Sequence, residues 1–184
     1  MVLRVGSLAE LRRLQNRPAP APAAARALPA PRVEASRPPT GLPILHRTLN
    51  GLWVAMPLPG KPLTANEREH YMARSVRVDL WRSTTAMLAR QVSRVPLDAS
   101  FVTVIVPSRV RDDANLAPSA KPVIDGLVDA GWWPDDDNRR VHQMQPMSST
   151  RPGVFAVAVT SMAETISVAY AQADACRAWM TGLP

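Results

Sequence analysis

An apolar, β-branched run, Phe101–Val106, leads directly into an acidic segment that is interrupted by one short helix. A run that is apolar on both faces is typical of a central strand of a sheet. Apolar residues at helical spacing predict the helix over residues 118–130, and this helix separates two acidic clusters, Asp112–Asp113 and Asp135–Asp137. A chain that leaves the sheet through so short a helix and turns at Gly131 can bring its second acidic cluster back toward the first.

The two acidic clusters and the single lysine between them form the candidate site. Carboxylates that crowd together repel one another unless a cation lies between them, and a hard divalent ion is the natural candidate. Arginines beside both clusters indicate a phosphate as the bound group. Lys121 lies in the first turn of the predicted helix, where its amine could contact that phosphate. The alternative is a surface lysine that pairs with Asp125 one turn later.

Upstream, the sequence predicts a short strand, a loop and a long basic helix. Residues 52–57 are apolar, and the segment after them is dense in proline and glycine. A helical period extends from Glu67 to about Arg94, and Asn66 with Glu69 resembles a capping box at its start. The exposed side carries more arginines than acids, which fits either an ordinary solvated face or a surface that contacts DNA.

Three further elements are predicted after the second acidic cluster. They are strands over residues 141–147 and, more strongly, 154–160, followed by a helix over residues 170–180. This mixed order predicts an α+β fold, in which a small mixed β-sheet is packed by two main helices and a short C-terminal helix follows.

The N-terminal 45 residues differ in composition from the rest of the chain. They are rich in proline, alanine and arginine, and they supply +5 of the net charge of +7. Apart from a short helix at Val2–Gln15, this segment is predicted to be a disordered basic tail, because it cannot bury enough apolar surface to fold. A loose tether to DNA is the functional alternative. The folded domain is assigned to residues 46–184, with its first element expected near Leu49.

Cysteine content and hydropathy favour a cytoplasmic protein. The single cysteine, Cys176, agrees with a reducing compartment, and we expect no membrane-spanning segment. The three histidines are far apart in the sequence and have no cysteine partners, so a zinc site is not expected.

The motif set resembles that of the RusA-type Holliday-junction resolvases, endodeoxyribonucleases common in phages and prophages. That family's pattern is an arginine and an aspartate, then D-x-D-N or a variant, a lysine on the following helix, and an aspartate pair after a glycine turn. The matching residues here are Arg111, Asp112, Asn115, Lys121, Asp125, Gly131, Asp135 and Asp136. A second match lies upstream, where a proline-rich loop with Asn66 precedes the basic helix, and the resemblance covers about residues 52–161.

The resemblance implies a Mg2+-dependent phosphodiesterase, with Mn2+ as an alternative ion. It would act as a homodimer on four-way DNA junctions in recombination and repair, in the nucleoid-containing cytoplasm of a bacterium or a phage-infected host. Asp112 and Asp136 would hold the metal, with Asp135 and Asp113 as further candidate ligands, and Lys121 would stabilise charge on the phosphate. The implied DNA contacts are Asn66, Arg74, Arg77, Arg82, Arg109, Arg111, Asn115, Arg139 and Arg140.

Two positions depart from the family pattern. The second aspartate of D-x-D-N would fall at Ala114, and Lys121 comes six residues after Asn115. One alternative is therefore a protein that binds branched DNA but has lost cleavage through Ala114. A third hypothesis is a nuclease for other branched intermediates of replication or packaging.

Overall fold

The computed structural model describes residues 41–92, 97–108 and 112–183. The strands are β1 Ile44–Thr48, β2 Gly51–Pro57, β3 Ser100–Pro107, β4 Val141–Gln143, β5 Met147–Ser149 and β6 Val154–Ser161. The helices are α1 Tyr71–Val92, α2 Ala117–Asp129 and α3 Ile166–Thr181, and a short 3-10 helix at Asp113–Leu116 precedes α2. The predicted α+β class is confirmed.

The six strands form one mixed sheet in the order β1-β2-β6-β3-β4. β5 lies on the same edge of β3 as β4 and pairs with the later residues of β3. Neighbours from β1 through β3 are antiparallel, whereas β4 and β5 pair with β3 in parallel. The prediction of 101–106 as a central strand is confirmed, because β3 has partners on both edges. Pro107 at the end of β3 pairs with Ser149 of β5, so β5 flanks the point where the acidic segment begins.

Helices cover both faces of the sheet. Because side chains alternate along a strand, Val104 of β3 faces the core beneath α1 and α2, where Trp81 and Leu127 are buried. Its neighbour Ile105 faces the opposite core, beneath α3, with Cys176. Burial raises the pKa of the Cys176 thiol to about 12, so the thiol is protonated at neutral pH.

Helices α1 and α2 approach each other closely. A Cβ atom placed on Gly126 of α2 would lie 2.5 Å from the backbone oxygen of Arg82 in α1, so this crossing requires glycine. The Arg82 guanidinium donates to both carboxylate oxygens of Asp129, at 2.6 and 2.8 Å. This pairing raises the pKa of Arg82 and lowers that of Asp129. The contact fixes α2, and hence the acidic turns at its two ends, against α1.

The start of the folded region differs from the prediction. The first described strand, β1, begins at Ile44 rather than near Leu49. It is an edge strand whose side chains are exposed or only half-buried. It therefore lacks the apolar alternation by which a strand is recognised in sequence.

The predicted helix start at Glu67 is also wrong, because α1 begins at Tyr71. Glu69, which suggested a capping box with Asn66, and the nearby Glu67 bind other partners. Glu67 accepts from Lys61 at 2.7 Å, and Glu69 accepts from Arg77 at 2.8 Å. The His70 ring nitrogen Nδ1 instead accepts from Met72 N at 3.4 Å in the first turn.

The single strand predicted over residues 141–147 is two strands, β4 and β5. Met144 N donates to Val102 O at 2.9 Å, which extends the pairing to the end of β4. Pro146 has no N–H to continue a ladder, so the pairing breaks there and resumes at Met147. The strand predicted at 154–160 and the C-terminal helix are confirmed by β6 and α3.

The prediction of a basic tail with a helix at Val2–Gln15 falls on residues outside the described ranges, apart from 41–45. Arg109 and Arg111 also lie outside them. Within the part of the chain that is described, no helix combines the length and apolar character needed to cross a membrane.

Candidate functional site

Asp112 lies just beyond the end of β3 and caps the 3-10 helix that follows. Its side-chain oxygen Oδ1 accepts a hydrogen bond from Ala114 N at 3.0 Å. The residue is exposed. A carboxylate is therefore presented to solvent at the carboxyl end of a central strand, as the sequence predicted.

Asp113 serves to connect the acidic turn to the sheet. Its Oδ1 accepts a hydrogen bond from the backbone N–H of Ser148 in β5, at 3.1 Å. This long-range contact occupies one lone pair of a residue that the sequence proposed as a further metal ligand. The turn is thereby held against the edge of the sheet.

The proline-rich loop before α1 is tied to the start of α2. The Ser119 hydroxyl both accepts from Leu63 N and donates to Leu63 O, each at 2.8 Å, and both residues are fully buried. Ala65 N also donates to Asn115 O at 2.9 Å. These bonds place the exposed Asn66 next to the acidic turn. Sequence reasoning did not single out Ser119, whose only signal is a hydroxyl inside an apolar helical stripe.

The second acidic cluster is positioned by the two tryptophans that precede it. Gly131 ends α2 with a positive φ of 84°, which favours glycine. Trp132 and Trp133 then turn into the core, each 1% exposed. Trp133 donates from its indole nitrogen to Asp98 O at 3.0 Å, and Trp132 O accepts from Leu97 N at 2.6 Å. The segment that carries Asp135–Asp137 is anchored beside the start of β3 by these bonds.

The geometry brings the second acidic cluster to the lysine of α2. The Lys121 ammonium contacts Asp136 Oδ2 and lies 2.7 Å from Asp125 Oδ1. Asp135 is adjacent, and its Oδ1 accepts from Asp136 N at 2.7 Å. Lys121 therefore pairs with Asp125 one turn later, as the alternative interpretation predicted, and it also contacts Asp136. Its contact with a phosphate stays a prediction.

Charge interactions within this group follow from its contacts. Hydrogen bonds to Asp125, and then to Asp136, raise the pKa of Lys121 above its ordinary 10.5. The bond from Lys121 lowers the pKa of Asp136 below its ordinary 3.8. The lowered pKa of Asp136 stabilises the fold at pH values above the pKa that Asp136 has in the unfolded chain. This stabilisation is lost as the pH falls through the pKa of Asp136 in the folded protein. The raised pKa of Lys121 stabilises the fold at pH values below 10.5. This stabilisation is lost as the pH rises through the pKa of Lys121 in the folded protein.

Replacing Lys121 with methionine should raise the pKa of Asp136 toward 3.8, because the hydrogen bond that lowers it is removed. The measurement is an NMR titration of the aspartate carboxyl carbons. Lys61→Met is the matched control, since Lys61 is the other lysine of the chain and binds Glu67 instead. An Asp136 pKa that is the same in wild type and Lys121→Met would contradict the contact.

The donor set suits a hard cation, although the carboxylates do not form a ready cage. Among residues 41–92, 97–108 and 112–183, no three His, Cys, Asp or Glu side chains are grouped as a metal ion would require. The ammonium of Lys121 nevertheless sits between two carboxylates, where a small cation is stabilised. Oxygen ligands from aspartates are those that Mg2+ prefers. In this structure the Lys121 ammonium is the cation that Asp125 and Asp136 share, and a divalent ion bound to these residues stays a prediction.

The described arginines proposed for DNA binding fall into two groups. The Arg77 guanidinium donates to Glu69 and to the backbone oxygens of Pro62 and Lys61, and Arg82 is bound to Asp129. These two side chains hold the loop and the helices together. The second group comprises Arg74 on α1, and Arg139 and Arg140, both exposed beside the second cluster.

Asp137 shapes the turn on which Arg139 and Arg140 lie. Its Oδ1 accepts from Arg139 N at 2.8 Å and from Arg140 N at 3.1 Å. The third aspartate of the run therefore has a backbone role, whereas Asp136 faces Lys121. Both arginines follow directly after the carboxylates, so positive charge borders the acidic group.

Comparison with known proteins does not assign this chain to a family. No family model matches it, and no curated protein is significantly similar to it.

Proposed function

We propose that the protein is a Mg2+-dependent endodeoxyribonuclease that resolves four-way DNA junctions, as RusA-type resolvases do. The observation that supports this most is the contact of Lys121 with Asp136. It joins the second acidic turn, with its bordering arginines, to an amine of α2, and Asp112 caps the 3-10 helix that precedes α2. An amine beside carboxylates and arginines suits a phosphodiester held next to a divalent ion.

The proposed roles follow from position. Asp112, Asp135 and Asp136 would hold Mg2+ or Mn2+, with Asp113 contributing through the oxygen that does not bind Ser148. The ion, when bound, supplies Lewis-acid activation of the phosphodiester and of the attacking water. Lys121 would shift from Asp136 toward the phosphate and stabilise the negative charge that develops on it.

DNA contacts would come from the rim of this site. Asn66 on the tied loop and Asn115 in the 3-10 helix offer amide groups, and Arg74, Arg139 and Arg140 offer charge. Arg109 and Arg111, which precede Asp112 in sequence, are further proposed DNA contacts. Contacts of this kind recognise the phosphate backbone and the shape of the DNA rather than its sequence.

Paired incision of a junction requires two sites. We propose a homodimer in which a two-fold axis relates two copies of this site, so that opposing strands are cut symmetrically. Such a dimer would act on DNA in the cytoplasm of a bacterium or of a phage-infected host.

The second candidate is a branched-DNA-binding protein without cleavage. Ala114 favours this candidate, because alanine supplies no carboxylate at the position of the family's second aspartate. Its backbone N–H donates to the side chain of Asp112. This candidate predicts junction binding with steep salt dependence but no incision at any Mg2+ or Mn2+ concentration. Restored cleavage in Ala114→Asp would support it.

A cleavage panel at fixed salt tests the proposal. The substrates are a four-way junction, a flap and a linear duplex, each end-labelled, incubated with wild type or Asp112→Asn across a Mg2+ titration. We expect paired symmetric nicks in the junction that require Mg2+ and disappear in Asp112→Asn. Preferential cutting of the flap would indicate another branched intermediate, and an inactive wild type that binds the junction would replace the proposal with the binding protein.

A further inference from the structure

A groove opens at the same end of the sheet as the acidic turn that carries Asp112 and Asp113. It has a volume of about 680 Å³ and lies between the ends of β3 and β5 and the last turns of α3. Its lining is polar and includes Ser148, Ser149, Thr150, Asp174, Arg177 and Thr181. No aromatic ring is among the described residues that line it, so it offers no platform on which a base could stack.

The groove and the candidate site share a wall. Ser148, which lines the groove, donates its backbone N–H to Asp113 in the acidic turn. Ser149 O accepts from Ser108 N at 3.1 Å, which holds the end of β3 to β5. The acidic turn and the groove are therefore neighbours, joined through Ser148.

Arg177 gives the groove its positive charge. Its Nη2 atom donates to Asp174 Oδ1 at 2.7 Å, which uses one of the five N–H donors of a guanidinium. The pair is largely exposed, with 42% and 56% of the two side chains accessible, so it contributes little to stability. Further donors of Arg177 therefore remain for an oxyanion.

We propose that this groove binds one backbone phosphate of a DNA strand that continues past the acidic turn. The inference rests on the proposed function and adds to it a site for a phosphate away from the point of cleavage. Arginine and serine or threonine hydroxyls are common phosphate contacts in protein–DNA interfaces. The phosphate oxygens would accept from Arg177, beside the hydroxyl-bearing residues that line the groove.

The test compares DNA binding by Arg177→Gln and Asp174→Asn with binding by two control variants at the other end of the sheet. Arg177→Gln should weaken DNA binding about tenfold and lower the salt dependence by about one phosphate contact. Asp174→Asn should strengthen binding, because it removes a like charge beside the phosphate. Arg47→Gln and Asp98→Asn are the controls, since both residues line a separate cavity of about 200 Å³ near the start of β3.

Binding is measured by fluorescence anisotropy in EDTA, with a linear duplex and a four-way junction, on variants whose circular dichroism and Tm match wild type. The groove proposal is overturned if Arg177→Gln binds DNA no more weakly than Arg47→Gln, or if Asp174→Asn weakens binding. An Arg177 effect on the duplex supports the groove even if the cleavage panel rejects junction resolution. A further measurement is a calorimetric titration of the protein with inorganic phosphate alone. Phosphate binding that depends on Arg177 while DNA affinity does not would overturn the assignment to DNA.

Discussion

Replacing Asp136 with asparagine is expected to reduce Mg2+-dependent cleavage of a four-way junction by at least about 100-fold. The substitution keeps the shape of the side chain but removes the charge that Lys121 contacts. It would also remove a proposed ligand of the metal. The measurement is single-turnover cleavage of an end-labelled junction at saturating protein.

Asp137→Asn is the matched control, because it makes the same change one residue away. Asp137 acts through acceptor bonds to the N–H groups of Arg139 and Arg140, and an asparagine oxygen can still accept them. We therefore expect Asp137→Asn to retain most of the cleavage rate. Equal losses in both variants would argue against a special role for Asp136.

Replacing Gly126 with valine is expected to destabilise the fold by about 3 kcal/mol, as overpacking of a tight core contact does. The new Cβ would collide with Arg82 O at 2.5 Å and with Thr85 Cβ at 2.8 Å. Helices α1 and α2 would have to separate, which would disturb the bonds between Arg82 and Asp129. The corresponding fall in Tm is roughly 10 °C for a chain of this size, measured by calorimetry.

Gly182→Ala is the control for this effect. Gly182 follows α3, and the nearest atom to an added Cβ is Trp179 O at 3.6 Å, an ordinary contact distance. We expect its Tm to stay within a few degrees of wild type. A Gly126→Val protein as stable as Gly182→Ala would mean that α1 and α2 are not closely packed at this point.

The elements that the sequence predicted well are those with a strong local pattern. β3 and β6 are apolar on both faces, and α2 combines a helical period with Pro118 near its start and Gly131 after its end. Each of these signals lies within the element itself. The edge strand β1 has no such pattern, since its five residues are mostly exposed and its pairing to β2 is its main support.

The predictions that failed depend on partners distant in the chain. Glu69 matched a capping box in sequence, but its carboxylate accepts a hydrogen bond from Arg77, eight residues away. The bonds between Ser119 and Leu63 span 56 residues, and no local pattern reveals them. A short helix followed by a glycine turn predicted that the second acidic cluster returns toward the first, but the sequence did not single out Asp136 as a partner of Lys121.

The contact between Lys121, Asp125 and Asp136 has a consequence for how the chain assembles. The negative charges of Asp125 and Asp136 are already compensated by an ammonium that the polypeptide itself carries. The chain can therefore bring these two carboxylates together as it folds without a dissolved cation between them.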